Sequence, residues 1–364
     1  MAKAKPKKDD VAIPPTKSDF SGQQLDLFQS FLCNTENERD RLSNTFDLWD
    51  SVPRYSVSRQ AMDKMRKAGT FTQLLSIPFN YRGRELEAII QPAWIQNKDS
   101  TVTGYYPSAN EELIEDALRK IAAEQNYGYF NKPNYRSGVV FSLHMLREEL
   151  KKRGHTRSYQ QIVLSLRILA RSSIEIATTD DKNGEGFSIN PYFSGLSAVS
   201  RSKLDDDPDA KWIVQFHPLV TQAIDAVTYR QFNYAQMMRH RTQLARWLHK
   251  QLSLKFTFAS LITSFDMRFS TIKRDSALLE GYKLQRQAVA ALDDALDELK
   301  ASGVLSSTQK NEIRGERAKL EDVIYTLTAS RDFITEIKAA NKRQSLSEKS
   351  KEIIVEKNIP AKKR

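Results

Sequence analysis

Cysteine is nearly absent: among 364 residues there is only Cys33. A lone thiol excludes a disulfide within the chain and a cysteine-built metal site. The five histidines, His144, His155, His217, His240 and His249, fall at no ligand spacing, so no metal is expected. No apolar run approaches a membrane span, and the basic N-terminus leads into no hydrophobic signal stretch. The expected location is cytoplasmic, with no membrane partner. No Gly-Lys dipeptide occurs, which excludes a Walker A loop. Gly-x-Ser-x-Gly, His-Glu-x-x-His and a His-x-His pair with a downstream tyrosine are missing too. Asp205, Asp206, Asp207 and Asp209 crowd around Pro208, as in a solvated loop rather than a metal site. No catalytic residue, enzyme activity or cofactor is therefore expected.

Carboxylates are also missing from Ala226 to Phe265, a stretch that holds Arg230, Arg239, Arg241, Arg246, Lys250 and Lys255. The net charge is +11, and residues 338–364 supply +6 of it through nine Lys/Arg against three Glu. Lys3, Lys5, Lys7 and Lys8 outnumber Asp9 and Asp10 at the other end. Basic ends on a nearly balanced body raise encounter rates with a polyanion and make them salt-dependent. Apolar content of 40% and charged content of 28% fit a globular body of two domains.

The polar leader contains Gln24-Leu25-Asp26-Leu27-Phe28. Bacterial proteins use Gln-Leu-(Ser/Asp)-Leu-Phe peptides to dock into the apolar groove of the DNA polymerase sliding clamp. Leu25, Leu27 and Phe28 would leave water, at roughly 1.5–3 kcal/mol each, and Gln24 would set the register. A disordered leader can wrap such a partner.

Phe71–Ile90 reads as a hairpin turning at Tyr81-Arg82-Gly83-Arg84. A loop over 97–110 leads through a capping Ser108 or Asn110 into a helix Glu111–Gln125. Next come a strand Val139–Phe141, a helix from Ser142 to Arg153-Gly154, and a helix Tyr159–Arg171 with Ile162, Leu166 and Leu169 inward. Strands Ser173–Thr178 and Phe187–Phe193 flank an Asp181-Lys182-Asn183-Gly184 turn. Helix, turn, helix and hairpin make a winged helix. After a strand Trp212–Phe216 and a helix Leu219–Val227, a second unit is expected. It has an opening helix Tyr234–Leu254, a short helix and turn over 261–274, a long helix Leu279–Ser302 closed by Gly303, and a strand Val323–Leu327. Leu284, Ala288, Leu292, Ala295 and Leu299 form the long helix's expected buried face. The expected fold class is α+β, mostly α: two tandem winged-helix domains with disordered basic tails. The expected domains are a disordered tail with the clamp-binding peptide (1–45), a first winged helix for dimerisation or DNA (46–220), a second for DNA recognition (221–335), and a basic C-terminal tail (336–364).

A winged helix lays the second helix of its turn motif in the major groove and its wing on the backbone. In the second unit Lys283, Arg286, Gln287 and Ala290 lie opposite the core stripe, just after Lys273 and Arg274. Asp293, Asp294, Asp297 and Glu298 fill the far half. The helix macrodipole favours the reverse order, so the basic start is expected to face an anion. Arg286 suits a guanine edge and Gln287 an adenine edge, while Lys273, Arg274 and Lys283 suit phosphates. Arg239, Arg241 and Arg246 are either further phosphate contacts or a solvated, domain-bridging face. In the first unit Arg157, Gln160, Gln161, Arg167 and Arg171 reach DNA unless that unit serves dimerisation.

Four stretches together resemble the iteron-binding replication initiators of theta-replicating plasmids, of the RepA/TrfA type, over about residues 46–335. They are Phe79–Leu86, Ser158–Ile176, Leu244-Ala245-Arg246-Trp247-Leu248, and Arg274-Asp275-Ser276 with the helix running on to Leu305. TrfA-like proteins carry a Gln-Leu-Ser-Leu-Phe peptide upstream, and here Asp26 replaces the serine. The resemblance implies binding to double-stranded origin iterons and melting of an adjacent AT-rich segment. It also implies recruitment of host helicase, DnaA and the sliding clamp, and a possible homodimer through the first unit. The chain departs from the pattern at 97–110, at 306–318 and in its basic C-terminal tail, which leaves the second wing open. The alternative is a winged-helix transcriptional regulator, which gives no reason for a clamp peptide. A nuclease would need a metal cluster or nucleophile not found here. Gln251-Leu252-Ser253-Leu254 repeats the clamp pattern, but at the end of a core helix and broken by Lys255.

Overall fold

The computed structural model describes residues 36–357 apart from 72–73, 98, 125–126, 132–133, 179–185, 201–206, 259 and 261. The clamp-like peptide at 24–28 and the turn at 181–184 lie outside the described residues. The chain begins with α1 (Glu36–Arg41), β1 (Leu42–Phe46), α2 (Asp47–Ser51), α3 (Arg59–Lys67), β2 (Leu75–Tyr81), β3 (Arg84–Gln91), β4 (Ala93–Gln96) and β5 (Val102–Tyr105). It continues with α4 (Ala109–Ala123), β6 (Gly128–Asn131), β7 (Arg136–Ser142), α5 (Leu143–Lys152), α6 (Tyr159–Arg171), β8 (Ser173–Thr178), β9 (Phe187–Pro191) and β10 (Phe193–Val199). β11 (Lys211–Phe216), α7 (Pro218–Ala226), β12 (Tyr229–Asn233) and α8 (Tyr234–Met238) complete the first module. The second comprises α9 (Gln243–Lys255), β13 (Ser264–Arg268), α10 (Phe269–Ser276), α11 (Gln285–Ala301), β14 (Leu305–Arg314), β15 (Leu320–Ala329) and α12 (Arg331–Lys357).

Two apolar cores define these modules. The first gathers side chains from Leu42 to Met238, with Ala277. The second runs from Leu244 to Ile337. The division therefore lies near residue 240 rather than at 220, because Tyr229, Phe232, Tyr234 and Met237 point into the first core. The folded body also starts before 46, since the buried strand β1 pairs antiparallel with β12, Leu42 opposite Asn233. At the other end, Phe333, Ile334 and Ile337 anchor α12 in the second core, so the segment read as a tail from 336 continues a helix.

Each module contains a helix–turn–helix followed by strands. In the first, Ser108 and Glu111 close a capping box on α4, Ser142 accepts from Met145 N on α5, and Ser158 and Gln161 cap α6. α6 runs from its cap to a strand, β8, within the sheet β2-β3-β8-β9. In the second, α9, α10 and α11 pack on the sheet β13-β15-β14. The fold is α+β, with two winged helices in tandem.

Several expected elements differ in detail. Tyr234–Leu254 is two helices, because Glu298 accepts from the N–H groups of Arg241 and Thr242, and Thr242 then caps α9. Residues 261–274 hold a strand, β13, and the start of α10. The 306–318 segment is the outer arm and turn of a long β14–β15 hairpin.

The joint between modules is ionic and buried. Lys250 on α9 reaches Asp116 at 2.6 Å and Glu112 at 3.2 Å on α4. Gln251 donates to the Asp50 carbonyl at 2.9 Å, so the second clamp-like stretch is interior, with Leu252 and Leu254 buried. Asp50 pairs with Arg54 at 3.0 Å and Arg119 at 2.8 Å. Burial opposes ionisation of Asp50, but Arg119 and Arg54 outweigh it and hold the carboxyl far below the usual range. Glu115 is likewise desolvated, yet Arg54 and Arg119 lower it to about 2.

Candidate nucleic-acid interface

α10 ends on Ala277 in the left-handed region, φ 52°. Leu279 then enters the second core, 1% exposed, and ties down the turn. α11 begins at Gln285, six residues later than the sequence suggests. Leu284 is therefore its N-cap residue and is 46% exposed, not the first member of the buried stripe. That stripe is Ala288, Val289, Leu292, Ala295, Leu296 and Leu299.

The side chains of Lys283, Arg286 and Gln287 are exposed at the start of α11 and make no hydrogen bond or ion pair with the described residues. Three of the four acidic residues in the far half of the helix are tied to internal partners. Asp293 meets Lys310 and the Tyr325 hydroxyl, each at 2.7 Å, and Asp297 meets Lys300 at 2.7 Å. Glu298 holds the backbone before α9, as above. Cationic and amide groups are thus left bare at the end where the macrodipole is positive, a cost that an external anion would relieve.

The β14–β15 turn stands beside this end, because Gln285 Nε2 donates to the Glu321 carbonyl at 3.3 Å. Gly315 opens that turn, its N–H donating to the Lys319 carbonyl at 2.9 Å. At the tip Arg317 and Lys319 are exposed, with no side-chain partner among the described residues. The sequence reading missed both. The signal was the alternation of Val323, Tyr325 and Leu327 behind a glycine turn.

The remaining candidates divide. Lys273 pairs with Glu280 at 3.5 Å and Arg274 with Asp275 at 2.7 Å, at the end of α10 and in the turn after it. Asn80 N donates to Asp275 at 3.1 Å, which brings the β2–β3 turn, with exposed Arg82 and Arg84, against α10. Arg239 and Arg241 are elsewhere: they line a cleft with Asp294, Asp297 and Glu298 at the far end of α11. Arg246 is 3% exposed and donates to the carbonyls of His240 and Arg241 at 3.1 and 3.3 Å, so it braces the α8–α9 break and offers nothing to phosphate.

In the first module Arg157 donates to Asn110 at 2.8 Å, Gln160 is exposed and Arg167 half-buried. The β4–β5 hairpin lies over α6, where Ala93 and Ile95 pack on Ile168 and Leu164, and Arg171 donates to the Trp94 carbonyl at 3.3 Å. This cover leaves the N-terminal end of α6 open and buries Ile168 on its outer face. The two helix–turn–helix units are therefore unequal.

Among the described residues no three His, Cys, Asp or Glu side chains gather to hold a metal, and no helix is long and apolar enough to cross a membrane.

No protein-family model matches the chain, and no curated protein matches its sequence. Solved structures similar to it include domains 2 and 3 of RctB, at 11% identity and a TM-score of 0.46 over 70% of this chain and 91% of that one. The Pi initiator protein in complex with iteron DNA aligns at 13% identity and a TM-score of 0.40, over 61% and 95% of the two chains.

Proposed function

We propose that this chain is a non-enzymatic plasmid replication initiator that binds iteron repeats at an origin through its second winged helix. One observation carries the reading: the bare Lys283, Arg286 and Gln287 at the start of α11, next to a wing tipped by Arg317 and Lys319. A recognition helix presents its first turn to base edges, and here the side chains of Arg286 and Gln287 in that turn have no internal partner among the described residues. The four stretches that resemble RepA/TrfA-type initiators all fall on the two helix–turn–helix units or on the β2–β3 hairpin docked beside α10. Bound copies would promote opening of an adjacent AT-rich segment and recruit host helicase and DnaA. The first module would hold a homodimer, and the cytoplasm is the compartment this role requires.

Footprinting on the DNA that flanks the protein's own gene is the direct test. Protection of tandem, same-orientation repeats spaced by whole helical turns is expected. A palindromic site would favour a transcriptional regulator instead, and no protected site would end the proposal. The leader peptide would add the sliding clamp as a partner through Gln24, Leu25, Leu27 and Phe28. Leu27→Ala with Phe28→Ala is expected to abolish clamp pull-down and leave the footprint intact; clamp capture that survives both changes removes the clamp from the scheme.

A further inference from the structure

Leu284 occupies a place where a leucine weakens the fold. It is the N-cap of α11, with extended backbone at φ −116° and ψ 129°, and no side chain closes that helix end. Serine, threonine, aspartate or asparagine would bond the open N–H groups there, and leucine cannot. Its side chain gains little from burial either, at 46% exposed, and Tyr282 two residues earlier is 44% exposed. Two large apolar side chains thus flank Lys283 on an otherwise polar surface. No carboxylate occurs between Gly281 and Leu292. A residue that costs stability where it stands is a candidate for work outside the fold.

The chemistry of that work follows from the surface on which Leu284 lies. The first residues of a recognition helix meet base edges in the major groove. The one apolar group displayed there is the 5-methyl of thymine. We infer that Leu284 is a specificity-determining residue that packs against a thymine methyl group in the DNA site. The inference rests on the reading of α11 as the DNA-reading helix and names what that helix recognises besides hydrogen-bonding edges. Arg286 and Gln287 would supply the polar half of the readout, and Leu284 the apolar half.

The test uses the full chain. Duplexes preferred by the wild-type protein are selected from a random pool, and each thymine is then replaced singly by deoxyuridine, which removes only the methyl group. Binding is followed by fluorescence anisotropy at fixed salt. Wild type should lose about fourfold in affinity at one thymine, the worth of one buried methyl group. Leu284→Met, which keeps an apolar side chain, should lose a similar factor. Leu284→Ser should bind thymine and deoxyuridine duplexes equally, and its melting temperature should equal or exceed that of wild type because serine caps the helix.

The inference is overturned on its own if a preferred site is selected but no thymine is methyl-sensitive, or if Leu284→Ser keeps the sensitivity. A lower melting temperature for Leu284→Ser would assign the residue to the fold and overturn the inference as well. Failure to select any preferred site would overturn it together with the reading of α11 on which it rests.

Discussion

Glutamate at both Arg286 and Gln287 is expected to weaken binding to the cognate repeat by roughly 100-fold or more, since each bidentate base contact is worth about 1–3 kcal/mol. Binding to unrelated duplex should fall far less, because phosphate attraction is shared with Lys283, Arg317 and Lys319. The contrast follows from what surrounds the two side chains. Both are exposed and unpartnered among the described residues, so the change disturbs no internal bond and the fold should keep its stability. Titration of a repeat and a scrambled duplex at one salt concentration checks this. An equal loss on both would reduce Arg286 and Gln287 to phosphate neutralisers.

The second large effect concerns stability. Asp50→Ala should destabilise the protein by about 3–5 kcal/mol, because it removes the carboxylate that lies against both buried guanidiniums and leaves Glu115 and Asp116 to balance Arg54, Arg119 and Lys250. Urea unfolding followed by tryptophan fluorescence reads the loss, and a change below about 1 kcal/mol would show that this first-module network is not held by charge. The pH dependence has a definite sign. Asp50 and Glu115 titrate lower in the folded protein than in the unfolded chain, so their contribution is complete above about pH 5 and is lost as pH falls towards Glu115's folded value of about 2. Glu115 alone, moving from 4.5 to about 2, contributes on the order of 3 kcal/mol. Stability should therefore fall between about pH 5 and pH 2, and less steeply in Asp50→Ala than in wild type.

Local signals made the first helix–turn–helix legible from sequence. Ser158 caps α6 and Ile162, Leu166 and Leu169 repeat at helical spacing, and the structure has α6 at the same bounds, Tyr159–Arg171. Such signals act within one or two turns and need no knowledge of the rest of the chain. Long-range contacts decided the cases that were misread. Leu284 falls in phase with the stripe of α11, but Leu279 enters the core from the turn before it and the helix starts only at Gln285. The α8–α9 break contains no glycine or proline; a carboxylate more than fifty residues later, Glu298, creates it. Arg246 and Lys250 look like a solvated basic face until His240's carbonyl and α4's carboxylates are brought to them. Charge also disguised α12, whose few apolar residues seat it among many lysines and arginines.

The placement of buried charge around α4 has a practical corollary. Asp50, Arg119, Glu115 and Lys250 are sealed from dissolved ions, whereas Arg286 and Arg317 stand in the electrolyte. Raising ionic strength should strip bound duplex away long before it loosens the body, so brine becomes a dial for release that leaves the architecture undisturbed.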